Sequence, residues 1–190
     1  MKKCVRLRDR SLVGSAVKVT AALVAMLLAS LSAARADDNR APEVPAALEV
    51  PDGNKVEFHA YAVGVQIYVS APSAADPTKF VWVFKAPEAV LFDSDGNIVG
   101  IHYAGPTWET ESGSMVVGAR MAGATVDPTA IAWLKLRAVS ADGPGVLART
   151  TYIQRVNTAG GLAPSVAPTA SGQEARVPYT AEYFFYREAQ

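Results

Sequence analysis

The chain has 190 residues, a formal net charge of zero, 50% hydrophobic residues and one cysteine, which bounds it to one domain plus a targeting segment. The zero hides an asymmetry: the first 36 positions hold seven of the 18 Lys and Arg but one of the 18 acids, so the rest carries 11 basic against 17 acidic residues, a net charge of −6. Such an acidic remainder argues against nucleic acid and anionic membrane surfaces as partners, because both require clustered Lys and Arg.

In chain order, the first segment is a basic leader containing Lys2, Lys3, Arg6, Arg8, Arg10 and Lys18. The apolar run Val19–Leu31 follows, and small residues close it at Ala34-Arg35-Ala36. Thirteen residues at about 1.5 Å each would span about 20 Å, short of a bilayer core of about 30 Å. The pattern predicts a cleaved signal peptide over 1–36, with export to the periplasm or outside the cell and no stable membrane anchor afterwards. Cys4 lies in that leader, so the mature domain has no cysteine for a disulfide, a thiolate metal site or a nucleophile. Residues 37–45 are polar and contain Pro, and predict a flexible lead-in.

From 46 to 188 the text consists of short β-type runs separated by turn signals. Lys55–Ala62 alternates, and Gly64 breaks the run. Val65–Val69 alternates again. Phe80–Phe84 is apolar at every position and predicts a strand covered on both faces. Ala89–Phe92 and Ile98–Tyr103 flank Asp93-Ser94-Asp95-Gly96-Asn97, a hairpin signal. Trp108–Thr110 and Ser114–Gly118 flank a second turn at Glu111-Ser112-Gly113. Thr129–Ser140 admits a short helix after Asp127-Pro128, but its alternation supports a turn at Asp127–Ala130 and a strand from about Trp133. Tyr152–Val156 and the aromatic run Tyr179–Arg187 supply the last strands, across a long loop at Gly160–Gly172. Many short strands without helical crossovers predict an all-β antiparallel domain, a sandwich or a barrel.

The segments Gly64–Tyr68, Val81–Ala89, Gly100–Glu109, Tyr152–Gly161 and Val177–Arg187 occur in an order that resembles the secreted domain of unknown function 3455. The resemblance extends over roughly Val44–Arg187 and implies export and a mostly β domain, but no established activity, substrate or catalytic residue. It also implies a cysteine where this chain has Ser70, and a second within the stretch matching Ala163–Ser171; neither is present.

The candidate site is Ile101–Glu109, which gathers His102, Tyr103, Trp108 and Glu109 around Gly105-Pro106. A bend at a strand end brings side chains together. Tyr103 and Trp108 can form an aromatic platform, His102 can titrate or hydrogen-bond, and Glu109 can accept from hydroxyls or act as a base. The bland alternative is that the aromatics fill the core and the polar groups satisfy the bend. His59 and His102 are separated by 43 positions with no short-spaced partner, which does not read as a metal site. Asp93–Asn97 departs from calcium-loop spacing, since its Gly is fourth rather than sixth. No nucleophile elbow, phosphate loop or cofactor motif is present. The expectation is a non-enzymatic binding or envelope-associated domain for a small polar or carbohydrate ligand, or for a protein partner. The alternatives are a hydrolase using His102 and Glu109, and a structural protein that assembles.

Overall fold

The computed structural model describes residues 40–190; the expected signal peptide and the first part of the lead-in lie outside them. Eight antiparallel strands close into a barrel: β1 (Asn54–Pro72), β2 (Phe80–Phe92), β3 (Ile98–Tyr103), β4 (Thr107–Thr110), β5 (Met115–Ala124), β6 (Trp133–Asp142), β7 (Tyr152–Gly160) and β8 (Glu174–Glu188). Each strand pairs with its sequence neighbours, and β8 pairs with β1 to close the ring, with Asn54 opposite Glu188 and Val69 opposite Glu174. Closure removes the exposed sheet edges that an open meander would carry. Among the described residues there is no α-helix, only a 3-10 turn at Ala46–Leu48.

The interior follows from the two-residue alternation and the register. On β1 the inward row contains Phe58, Ala60, Ala62, Gly64 and Gln66; opposite it on β8 stand Phe185, Tyr183, Ala181, Tyr179 and Val177. Small residues on one strand make room for large ones on the next. The apolar core is completed by Leu91, Trp108, Val116, Leu136, Leu147 and Ile153. A second, smaller cluster lies on the outside, where Val56, Val156, Phe184 and Tyr186 are packed by Val44, Val50, Trp133 and Tyr152. The chain before β1 covers this outer patch: Leu48 is fully buried, and its carbonyl accepts from Gln154 Nε2 at 2.7 Å.

The strands are longer than the sequence pattern suggests. Gly64 does not end β1. It sits where β1 approaches β2 so closely that a Cβ would lie 2.1 Å from the Glu88 carbonyl oxygen, so glycine permits the contact and the strand runs on. Pro87 lies inside β2 opposite Gln66, next to a register shift at Ile67/Tyr68 that accommodates it. Phe80–Phe84 is not covered on both faces: Val81, Val83 and Phe84 are 42%, 48% and 50% exposed. Val81 and Val83 stand on the outer face of this part of β2, while Phe84 stands opposite Tyr68 on the inner side, at the open end of the barrel.

The turns match the local signals. The Asp93 carboxylate accepts from the Asp95 and Asn97 amides and from Asn97 Nδ2, so it is engaged in its own hairpin. Asp127–Ala130 is a turn closed by Ala130 N–H donating to the Asp127 carbonyl at 3.2 Å, and β6 starts at Trp133. The aromatic run of β8 is core: Tyr179, Tyr183, Phe184, Phe185 and Tyr186 are all buried. The loop after β7 is tied to the barrel at Ser70, whose hydroxyl donates to the Ala170 carbonyl at 2.5 Å and accepts from the Gln173 amide at 3.0 Å.

Candidate functional site

The β3–β4 hairpin sorts the four candidate residues by parity. His102 is opposite Trp108, and Ile101 is opposite Glu109. His102 and Trp108 therefore point into the barrel, 3% and 1% exposed, while Tyr103 and Glu109 are half-buried on the outer face. The inner pair stacks with ring centroids 4.3 Å apart at 8°. The outer pair is joined by the Tyr103 hydroxyl donating to Glu109 Oε2 at 3.0 Å. The four residues thus form two separate pairs on opposite sides of the wall. His59 is also distant from His102: it pairs with Glu182 at 3.0 Å on the outside and stacks on Phe184.

His102 Nδ1 lies 2.7 Å from the Thr107 carbonyl oxygen, which can only accept, so Nδ1 carries the hydrogen. Burial lowers the His102 pKa from 6.5 to about 3, outweighing the opposing effect of the Thr107 hydrogen bond, and the nearby Arg155 charge lowers it further. The ring is neutral at physiological pH, which leaves its Nε2 as an acceptor.

The inner pair belongs to a larger feature. One end of the barrel holds a pocket of about 530 Å³. Its wall includes Gln66, Tyr68, Pro87, His102, Trp108, Leu134, Leu136, Arg155 and Tyr183, all from inward rows, and Ile131 and Ala132 from the segment before β6. Exposed Phe84, Lys85, Arg120 and Leu162 contribute to its lining at the rim. Eight strands suit this outcome, since a barrel of that size is either filled by side chains or has room for one small ligand. Here the end carrying Phe58, Leu91, Val116 and Phe185 is filled, and the other is not.

The polar groups of this pocket are unevenly satisfied. Arg155 is half-buried, and its Nε and Nη2 both donate to the Ala132 carbonyl, at 3.2 and 2.8 Å. The Tyr68 hydroxyl donates to the Gly161 carbonyl at 2.7 Å. Gln66 Nε2 and Trp108 Nε1 are buried N–H donors without a hydrogen-bond partner, although the Gln66 amide lies near the Tyr179 hydroxyl. Burial raises the pKa values of Tyr68, Tyr179 and Tyr183, and Arg155 opposes that rise at each of them. The guanidinium therefore exerts its field across the pocket end of the barrel.

A family model described as "Protein of unknown function (DUF3455)" matches residues 51–187. The chain belongs to that family. The match spans all eight strands of this DUF3455 domain except the last residue of β8, so the barrel and its pocket lie within the family's region. Comparison with curated proteins and with solved structures finds no match.

Sequence reasoning reached His102 and Trp108 but missed Gln66, Tyr68, Arg155 and Tyr183 as their neighbours. For Arg155 a signal existed. It stands two positions after Ile153 and so shares the inward face of β7, where a charge is unexpected. The other three required the closure of β8 on β1, which no local pattern reveals.

Proposed function

We propose that this DUF3455 domain is a non-enzymatic binding protein that holds a small molecule inside its barrel, and that it acts after export to the periplasm or the extracellular space. The supporting observation is the pocket of about 530 Å³, whose wall is mainly apolar with a few convergent polar groups. That volume falls within the range of about 300–1,000 Å³ usual for small-molecule sites. The basic leader and its A-x-A pattern support export. The geometry gives no support to a hydrolase built on His102 and Glu109. These residues face opposite sides of the wall, and no Asp or Glu lines the pocket that His102 faces.

The test is a titration with N-phenyl-1-naphthylamine, a neutral apolar fluorophore, followed by displacement with a panel of metabolites and glycans. Saturable one-to-one enhancement, lost in Leu134→Trp, supports binding inside the barrel, because Leu134 lines the pocket and the larger ring would fill it. Enhancement that does not saturate, or that Leu134→Trp leaves unchanged, contradicts it.

A further inference from the structure

Resting on the reading of the pocket as a ligand site, we infer that its ligand is an organic anion: a carboxylate with an apolar body, its head group docked on Arg155. Three observations converge. The first concerns charge. The charged residues lining the pocket are Lys85, Arg120 and Arg155, and no Asp or Glu is among the lining residues. Lys85 has its own partner, Glu174, at 3.2 Å. Among the described residues, neither Arg120 nor Arg155 forms an ion pair. The domain outside the leader is acidic, so a pocket whose charged lining residues are all cations reverses the sign of its surroundings.

The second observation is the state of Arg155. Withdrawing a cation from water is costly unless an anion or a full set of hydrogen bonds replaces the solvent. Of the five guanidinium N–H donors, two are directed to the Ala132 carbonyl. The guanidinium also faces the Tyr183 hydroxyl, but no carboxylate of the pocket lining is there to meet it. A ligand carboxylate would supply the missing counter-charge and match the planar fork of the guanidinium. A neutral sugar would leave the charge uncompensated.

The third observation is independent of charge. Gln66 and Trp108 are 2% and 1% exposed, both line the pocket, and each has a buried N–H without a partner. Such orphan donors are uncommon in folded proteins and invite an acceptor. The body of the ligand would lie against Trp108, Leu134 and Leu136.

Calorimetric titration of the purified protein with decanoate, decan-1-ol and decyltrimethylammonium tests the inference. Decanoate is expected to bind at least tenfold more tightly than the alcohol, and the cation not to bind. Arg155→Gln is expected to erase the preference for the acid over the alcohol. Because Arg155 also holds the Ala132 carbonyl, Arg155→Lys serves as a second variant: it keeps the charge and is expected to retain most of the preference. The wild-type comparison stands even if both variants misfold. Equal binding of acid and alcohol refutes the anion assignment and leaves the pocket reading intact. Binding of none of the three, together with failure of the fluorophore to saturate, refutes both.

Discussion

Replacing His102 by Asn tests the electrostatics of the barrel interior. The Asn amide can place an N–H close to the position of Nδ1 and keep the hydrogen bond to Thr107, but it does not titrate. In the folded protein burial holds the His102 pKa at about 3, against an ordinary value of 6.5. Between these values the unfolded chain binds a proton that the native state refuses. Stability from this residue is therefore fully present above pH 6.5 and is lost as the pH falls toward 3. The slope is about 1.4 kcal/mol per pH unit, so the loss reaches about 3 kcal/mol by pH 4.5. Urea unfolding followed by tryptophan fluorescence, at several pH values from 7.5 to 4.5, measures it. Carboxylates contribute to both proteins and cancel in the difference. The wild type is expected to lose about 3 kcal/mol more than His102→Asn over that range, whatever the offset between the two at pH 7.5. Parallel pH profiles would refute the assignment of a buried neutral imidazole.

Trp108→Ala removes a ring that stacks on His102 and meets Tyr183 and Phe185 edge-on, and should cost about 3–5 kcal/mol in urea unfolding. Ser70→Ala should cost about 1–3 kcal/mol, because it unties the Ala170 carbonyl and the Gln173 amide, and should speed proteolysis within residues 161–173. Tyr103→Phe and Glu109→Gln disrupt only outer-face contacts, the Tyr103–Glu109 hydrogen bond and, in the first, the hydroxyl's contact with Met115 Sδ; each should change stability by less than about 1 kcal/mol and leave fluorophore affinity unchanged. A loss of affinity in either would place the ligand outside the barrel.

The parts of the fold legible in the sequence are the local ones. Asp93 and Gly96 announce a hairpin because the side-chain acceptor and the positive φ of 83° are properties of the turn itself. Asp127 and the alternation after Trp133 likewise settle turn against helix within a few residues. The length of β1 was hidden because Gly64 reads locally as a breaker, whereas its neighbours on the adjacent strand determine its place. Closure is less legible still, since Asn54 and Glu188 carry no mark of their pairing. The candidate site was half legible. The segment 101–109 contains two pocket residues, but a bend was expected to gather all four, and the hairpin register instead turns Tyr103 and Glu109 away. Ser70 stands where the family resemblance implies a cysteine, and its hydroxyl reaches into the 163–171 stretch where the second is implied; a hydrogen bond to Ala170 makes the tie in this chain.

The most direct measurement is a two-dimensional proton–nitrogen NMR titration that follows the Arg155 Nε–H and Trp108 indole N–H signals as decanoate or decan-1-ol is added. Occupation of the barrel interior predicts that both signals shift saturably with at least one of the two, while the amides of Asp93–Asn97, in the distant hairpin, stay fixed. Saturable shifts at outer-face residues with Arg155 and Trp108 unmoved would contradict it.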